Sequence, residues 1–211
     1  MAEFIDIYDE NGKHLGIENR NIVHQNGLWH KTIHCWIVKD KKNLLFQKRS
    51  AKLLDNPNKL YTTASGHLQA GETLEQAFIR EISEELGIDA STLIPKKLQE
   101  VIYKTDFIKK DNTEFHDRVF CNIFMALCNL PLTKYIPQEE ELDGIVEVDI
   151  HEALALFKKE KDEISGNCYI RENERYNLRT QCLTLDDFLC TPTETHYEKY
   201  GTVIKEILKY I

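Results

Sequence analysis

Residues 66–88, GHLQAGETLEQAFIREISEELGI, constrain this chain more than any other part of it. Gly66, Glu72, Arg80, Glu81, Glu84, Glu85 and Gly87 stand at set intervals, and Ile82 and Ile88 complete the pattern. At average residue frequencies, a chance match to that spacing in a chain this long has a probability on the order of 10⁻⁷. The stretch reads first as a helix. Thr73 followed three residues later by Gln76 is a capping box, so the helix starts at Leu74, and Gly87 suits the left-handed position that ends one. That leaves about thirteen helical residues, roughly 20 Å of rod. At 100° per residue Leu74, Phe78, Ile79, Ile82 and Leu86 form an apolar arc that must face a core. Glu81 lies at the edge of that arc, and Glu85 falls inside it.

A carboxylate on a core-facing arc is costly unless it is paired or coordinated. Glu81, Glu84 and Glu85 are neighbours by steps of three and four, and a cation is the simplest relief of their repulsion. All the candidate ligands are oxygens, which selects Mg²⁺ or Mn²⁺. Glu81 and Glu85 are expected as direct ligands, with Glu84 and Gly66 counted in the same metal site. A water made acidic by such a cation must lose its proton to a carboxylate, and Glu84 is the first candidate for that base. Arg80 is expected to pair with Glu72 or a helix carboxylate and so orient the loop between Gly66 and the helix. Lys48, Arg49 and His67 are the candidates for contact with substrate.

The string 66–88 is similar to the complete signature of the Nudix hydrolases, which cleave a diphosphate linked to another group. The resemblance sharpens with LWHKTIHCWIV, LLFQKRS and TTASGHLQAGE, which look like the branch related to isopentenyl-diphosphate isomerase and extend it over residues 1–155 or so. In isomerases of that branch a proton-carrying cysteine precedes the Gly-His pair; here the position is Ser65, whose hydroxyl is far less acidic than a thiol. His67 matches one isomerase metal histidine and His30 another. The isomerase's mid-chain glutamates have only loose counterparts in Glu114, His116 and Asp117. The intact box favours a hydrolase, and the resemblance permits a rival to Glu84 as base from a later loop, where Glu141 ends the acidic run 139–141. Isomerase activity and a non-catalytic ligand-binding domain are the alternatives.

Strand and turn patterns fill in the rest. FIDIYD and HLGIEN flank an Asn-Gly turn and form a hairpin; residues 33–39 and 43–48 form a second pair around Asp40-Lys41-Lys42. Asp55 to Lys59 is a loop, and residues 60–64, 98–107, 118–127 and 142–148 read as strands. Residues 150–157 begin another helix. Trp36, in a strand, is expected in the core. Strands mixed with helices imply a layered α/β arrangement around a mixed sheet, and the resemblance implies an α/β/α sandwich of that kind. Residues 1–157 are expected to form the Nudix-like domain. Residues 158–211 are expected to be a charged, solvated helix or loop followed by a C-terminal helix, with Tyr197, Tyr200, Ile204 and Ile207 on one face, packed on the same domain.

A net charge of −8 argues against nucleic acid or an anionic membrane as partner and for a small-molecule diphosphate. The acidic start, MAEFIDIYDENGKHLG, is unlike a signal peptide, and no apolar run is long enough to span a bilayer, so a cytoplasmic monomer or homodimer is expected. The six cysteines, Cys35, Cys121, Cys128, Cys168, Cys182 and Cys190, make no metal-binding pair and are expected as reduced thiols, mostly buried.

Overall fold

The computed structural model describes residues 3–54, 56–108, 113–189 and 195–211. Asp55, Cys190 and the side chain of Tyr197 fall outside the described residues. In chain order the elements are β1 (Phe4–Tyr8), β2 (His14–Asn19), α1 (Arg20–Asn26), β3 (Trp29–Lys39), β4 (Asn43–Arg49), β5 (Leu60–Tyr61), β6 (Ala64–His67) and α2 (Leu74–Leu86). They continue with β7 (Lys96–Ile108), β8 (Glu114–Leu127), β9 (Leu142–Asp149), α3 (Ile150–Phe157), β10 (Glu163–Glu172), β11 (Arg175–Thr184) and α4 (Thr195–Ile207).

The strands join in one mixed sheet with the path β11-β10-β9-β4-β3-β1-β2. The β3–β8 pairing is parallel, from Trp29 opposite Arg118 to Val38 opposite Leu127, and β7 extends this side by pairing with β8. Alternation along β3 feeds two cores, because successive side chains point to opposite faces. Ile33, Cys35 and Ile37 pack under α2 with Phe78, Ile82 and Phe124. Trp36 and Val38 pack on the other face with Phe46, Phe157, Tyr200 and Ile204, beneath α3 and α4. The result is a helix layer on each side of the sheet. Trp36 is core, as expected, edge-on to Phe46 and Tyr200.

The helix α2 has the expected bounds and caps. Gln76 N donates to Thr73 Oγ1 at 3.2 Å, and Thr73 N donates to Gln76 Oε1 at 2.9 Å. Gly87 ends the helix at φ 62°, and a Cβ there would lie 2.5 Å from the carbonyl oxygen of Ile136, so no other residue fits without displacing that loop.

Three expectations need correction. Residues 158–181 are not mainly a solvated helix or loop: β10 and β11 form a long hairpin whose Asn173 and Glu174 take left-handed φ values of 49° and 64°. Its buried face, Ile164, Gly166, Cys168 and Ile170, packs on β9 and the α3 side of the core, while Glu163, Ser165, Asn167, Tyr169 and Arg171 occupy the alternate positions. The single strand expected over 60–64 is two short ones, split where Thr62 and Thr63 turn their hydroxyls onto the carbonyls of Cys35 and Leu45. The strand expected from Ile33 begins at Trp29, after a helix, α1, that was not expected; Asn19 caps it and Gly27 ends it.

Candidate active site

The carboxylates of Glu81 and Glu85 are held where β6 runs along α2. Glu81 is 8% exposed and Glu85 3%, whereas the side chain of Glu84 is open to solvent. Gly66 makes this approach possible: a Cβ there would lie 1.8 Å from Glu81 Oε1. Glu85 Oε1 accepts from Ser65 N at 3.4 Å, and its Oε2 is buried with no hydrogen-bond partner. Arg80 ties the loop to the helix. Its Nε and Nη2 donate to the two Glu72 oxygens at 2.8 and 2.9 Å, Nη2 also donates to the carbonyl of His67 at 2.9 Å, and Nη1 reaches Glu81 at 2.7 Å and Glu84 at 3.2 Å. This is the pairing expected of Arg80, with Gln69 N adding a third donor to Glu72 at 3.0 Å.

Glu141 arrives from the opposite side. Ile136 N and Gln138 N donate to the carbonyls of Leu86 and Glu85 at 2.8 and 2.9 Å, satisfying groups that the end of α2 leaves open. Ser50 N donates to the carbonyl of Glu141 at 2.8 Å. Glu81, Glu84, Glu85, Gln138 and Glu141 then line one acidic cleft. Burial pushes the carboxyl of Glu81 up to about 7 against the pull of Arg80, with repulsion from Glu84 and Glu141 adding to the rise. Burial also raises Glu85 well above the usual range, reinforced by Glu81 and Glu141. An orphaned buried oxygen, a cradle without a Cβ and crowded carboxylates that resist ionisation together fit a hard divalent cation.

A second cluster lies across β6. Ligand nitrogens of His24, His30 and His67 lie within 4.8 Å of one another. His67 Nε2 is 3.2 Å from His24 Nε2, and Asp117 Oδ1 is 3.6 and 3.4 Å from the Nε2 atoms of His24 and His30. His24 Nδ1 donates to the carbonyl of Arg20 at 2.8 Å and His30 Nδ1 to that of Leu28 at 3.0 Å. Those bonds put the proton on Nδ1 and leave the Nε2 lone pairs facing the cluster. His30 Nε2 and Asp117 Oδ1 are buried without a hydrogen-bond partner. Burial lowers His30 to about 4, holds His67 well below its usual value, and lifts Asp117 to about 6. Neutral imidazoles beside a carboxylate suit a borderline divalent metal.

The NUDIX domain model matches residues 28–168, two-thirds of the chain. The chain belongs to the Nudix family. It is 36% identical over 193 residues to an uncharacterized Nudix hydrolase of Clostridium acetobutylicum, covering 89% of this chain and 90% of that protein. It is 30% identical over 125 residues to isopentenyl-diphosphate delta-isomerase 2 of Photorhabdus laumondii, covering 59% of this chain and 68% of the relative. A crystal structure from Deinococcus radiodurans shares the fold with a TM-score of 0.57 at 20% identity, over 74% of this chain and 90% of the other. The protein is thus an enzyme of the Nudix hydrolase class.

In this Nudix enzyme a cavity of about 490 Å³ opens between the two clusters. Glu85 and Glu141 border it on one side, His24, His67 and Asp117 on the other, and Arg20 and Arg49 add positive charge. Tyr61, Tyr103, Phe107 and Phe115 give it an aromatic wall. Arg49 therefore meets the cavity, while Lys48 alternates to the other face of β4, near Cys168, and does not line it. Of the loose mid-chain candidates only Asp117 reaches the imidazoles; Glu114 and His116 pair with each other and with Asp106 on the exposed arm. His34 bonds to the hydroxyl of Tyr61 at 2.9 Å. Sequence reasoning missed His24 and Arg20, both on α1. Their one local signal was Asn19 ahead of a short polar helix closed by Gly27. Among the described residues no helix is long and apolar enough to cross a membrane.

Proposed function

We propose that this enzyme is a Mg²⁺- or Mn²⁺-dependent hydrolase that cleaves the diphosphate linkage of a small nucleoside or isoprenoid diphosphate joined to another group, by attack of water on phosphorus. The observation that carries this reading is the buried, unpartnered Oε2 of Glu85 beside Glu81 and Gly66, with Glu141 facing them. Glu81, Glu85 and the carbonyl of Gly66 would hold the cation, with Glu84 at the rim. A divalent cation there would neutralise the diphosphate and make water more acidic. Arg80 keeps the loop and the helix carboxylates in register, and Arg49 and His67 face the substrate. Glu141 takes the proton from the attacking water. It is preferred over Glu84 because the Glu84 carboxylate is paired with the Arg80 guanidinium at 3.2 Å and lines only the acidic cleft, whereas the Glu141 carboxylate has no side-chain partner among the described residues and borders both the cleft and the cavity.

The test is a product assay with Mg²⁺ over a panel of ADP-ribose, GDP-mannose, an oxidised nucleoside triphosphate, and geranyl and isopentenyl diphosphates. Phosphate, pyrophosphate or nucleoside monophosphate release that depends on metal and collapses in Glu141→Gln supports the reading. Intact turnover in both Glu141→Gln and Glu84→Gln removes it.

The cluster of His24, His30, His67 and Asp117 favours one second reading, isomerisation of isopentenyl diphosphate, as in the named function of the Photorhabdus relative. Ser65 stands against it, because its hydroxyl is a poor proton carrier. Conversion of isopentenyl to dimethylallyl diphosphate without phosphate release by wild type, and faster in Ser65→Cys, would establish that reading instead.

A further inference from the structure

The tip of the β10–β11 hairpin ends against the loop that carries Glu141. Arg171 and Tyr176 are cross-strand partners, and Tyr169, two residues before Arg171, shares their face. The rings of Tyr169 and Tyr176 stack with centroids 4.9 Å apart. The Arg171 side chain is only 13% exposed. Its guanidinium reaches the carboxylate of Glu139, donates to the carbonyl of Glu139 at 3.5 Å and lies 3.6 Å from Asp143 Oδ1. The Tyr176 hydroxyl donates to the carbonyl of Pro137 at 3.4 Å.

These contacts fall at 137, 139 and 143, on both sides of Glu141. On the opposite edge the same loop is tied by main-chain bonds to Glu85, Leu86 and Ser50 and by Ala51 N, which donates to Asp143 Oδ2 at 2.8 Å. A guanidinium shared between two partly solvated acids adds little to global stability, since exposed pairs are worth about 1 kcal/mol or less. Its contacts hold the acidic segment at points on both sides of Glu141. The residues that do this, 169–176, lie just beyond the 28–168 matched by the family model.

We propose that Arg171 and Tyr176 are positioning residues for the reaction: the hairpin tip clamps residues 137–143 and acts through Glu141. The inference deepens, and rests on, the reading of Glu141 as the base. Misplacing a reacting group by about 1 Å costs on the order of 100-fold in rate. Arg171→Ala should therefore lower kcat by roughly 10- to 100-fold with KM within about threefold, and Arg171→Lys should recover part of the loss.

Two measurements test it. The first is hydrogen–deuterium exchange on metal-free protein. The amides of Gln138, Glu141 and Leu142 should exchange at least about tenfold faster in Arg171→Ala and faster in Tyr176→Phe, with α2 and the melting temperature unchanged. The second is a kcat cycle of Arg171→Ala, Glu141→Gln and the double variant, on the panel diphosphate that wild type turns over fastest. If Arg171 acts through Glu141, the double variant is no slower than Glu141→Gln alone. Unchanged loop exchange, additive losses, or an active Arg171→Ala beside an inactive Glu141→Gln overturns the clamp and leaves Glu141 as base. An active Glu141→Gln overturns the reading of Glu141 itself, and this inference with it.

Discussion

Without metal, the α2 carboxylates should make this protein less stable as pH rises, the reverse of ordinary acid denaturation. Glu81 titrates near 4.5 when unfolded and is pushed up to about 7 in the fold. Between those values the native state holds a proton that the unfolded chain has released, so raising the pH favours unfolding. The linkage integral for a single group with these two constants gives a loss of roughly 2.5 kcal/mol between pH 5 and pH 8. For a chain of this size that is about 5–10 °C of melting temperature. Glu85 shifts in the same direction and adds to the effect, whereas His30 and His67, held neutral by burial, push stability the other way at low pH. Comparing wild type with Glu81→Gln cancels those background contributions. Urea unfolding in EDTA at pH 5, 6.5 and 8 should show wild type losing stability relative to Glu81→Gln by about 2–3 kcal/mol over the range. Saturating Mn²⁺ at pH 8 should stabilise wild type more than the variant, which retains only the imidazole cluster intact. Equal pH slopes in the two proteins would refute the argument, because Glu81 would then not be a carboxyl that folding forces to hold its proton.

Gly66→Ala inserts a methyl group 1.8 Å from Glu81 Oε1, so isothermal titration should find Mn²⁺ affinity at the α2 site down by tenfold or more while the fold survives. Glu141→Gln should reduce kcat by roughly 100- to 10,000-fold with little change in Mn²⁺ affinity, as expected for loss of a general base. His30→Ala and His24→Ala should each remove one equivalent of tightly bound Mn²⁺ or Zn²⁺ by elemental analysis, leaving the α2 site loaded; an unchanged metal count would sink the imidazole centre. Thr73→Val breaks the capping box and should cost about 1 kcal/mol in urea unfolding without altering metal binding.

The α2 region was legible because every signal in it is local. Thr73, Gln76 and Gly87 set its ends, and the 100° arc already put Glu85 among apolar neighbours, where the structure has it. Trp36 was legible for the same reason, as one position in an alternating strand. The β10–β11 hairpin was hidden because two of its four inward positions are Gly166 and Cys168, which dilute the apolar beat, while the outward ones mix charged Glu163 and Arg171 with Ser165, Asn167 and Tyr169. Of the imidazole cluster, the resemblance pointed to His30 and His67, while His24 and the meeting of the three were hidden for a different reason. His24, His30 and His67 come from α1, β3 and β6; the pairing of Thr32 with His67 sets β6 beside β3, and α1 brings His24 to them. Strand phase likewise separates Asp117, opposite Thr105 on the cavity side, from His116, which points away from it. No spacing rule in one dimension carries that information.

The short strand β6 has a consequence for how such an enzyme changes over time. Ser65 and His67 point one way and Gly66 the other, so three consecutive residues serve two chemical centres at once. A one-residue insertion between Thr63 and His67 would turn the histidine toward α2 and present a side chain where the glycine must be, and both centres would fail together. Substitutions at Ser65 carry no such penalty. Point replacement therefore remains an open route to new chemistry here, whereas a shift of the frame is closed, and altered substrate choice must come from residues such as Ser65 or from the loops around the cavity.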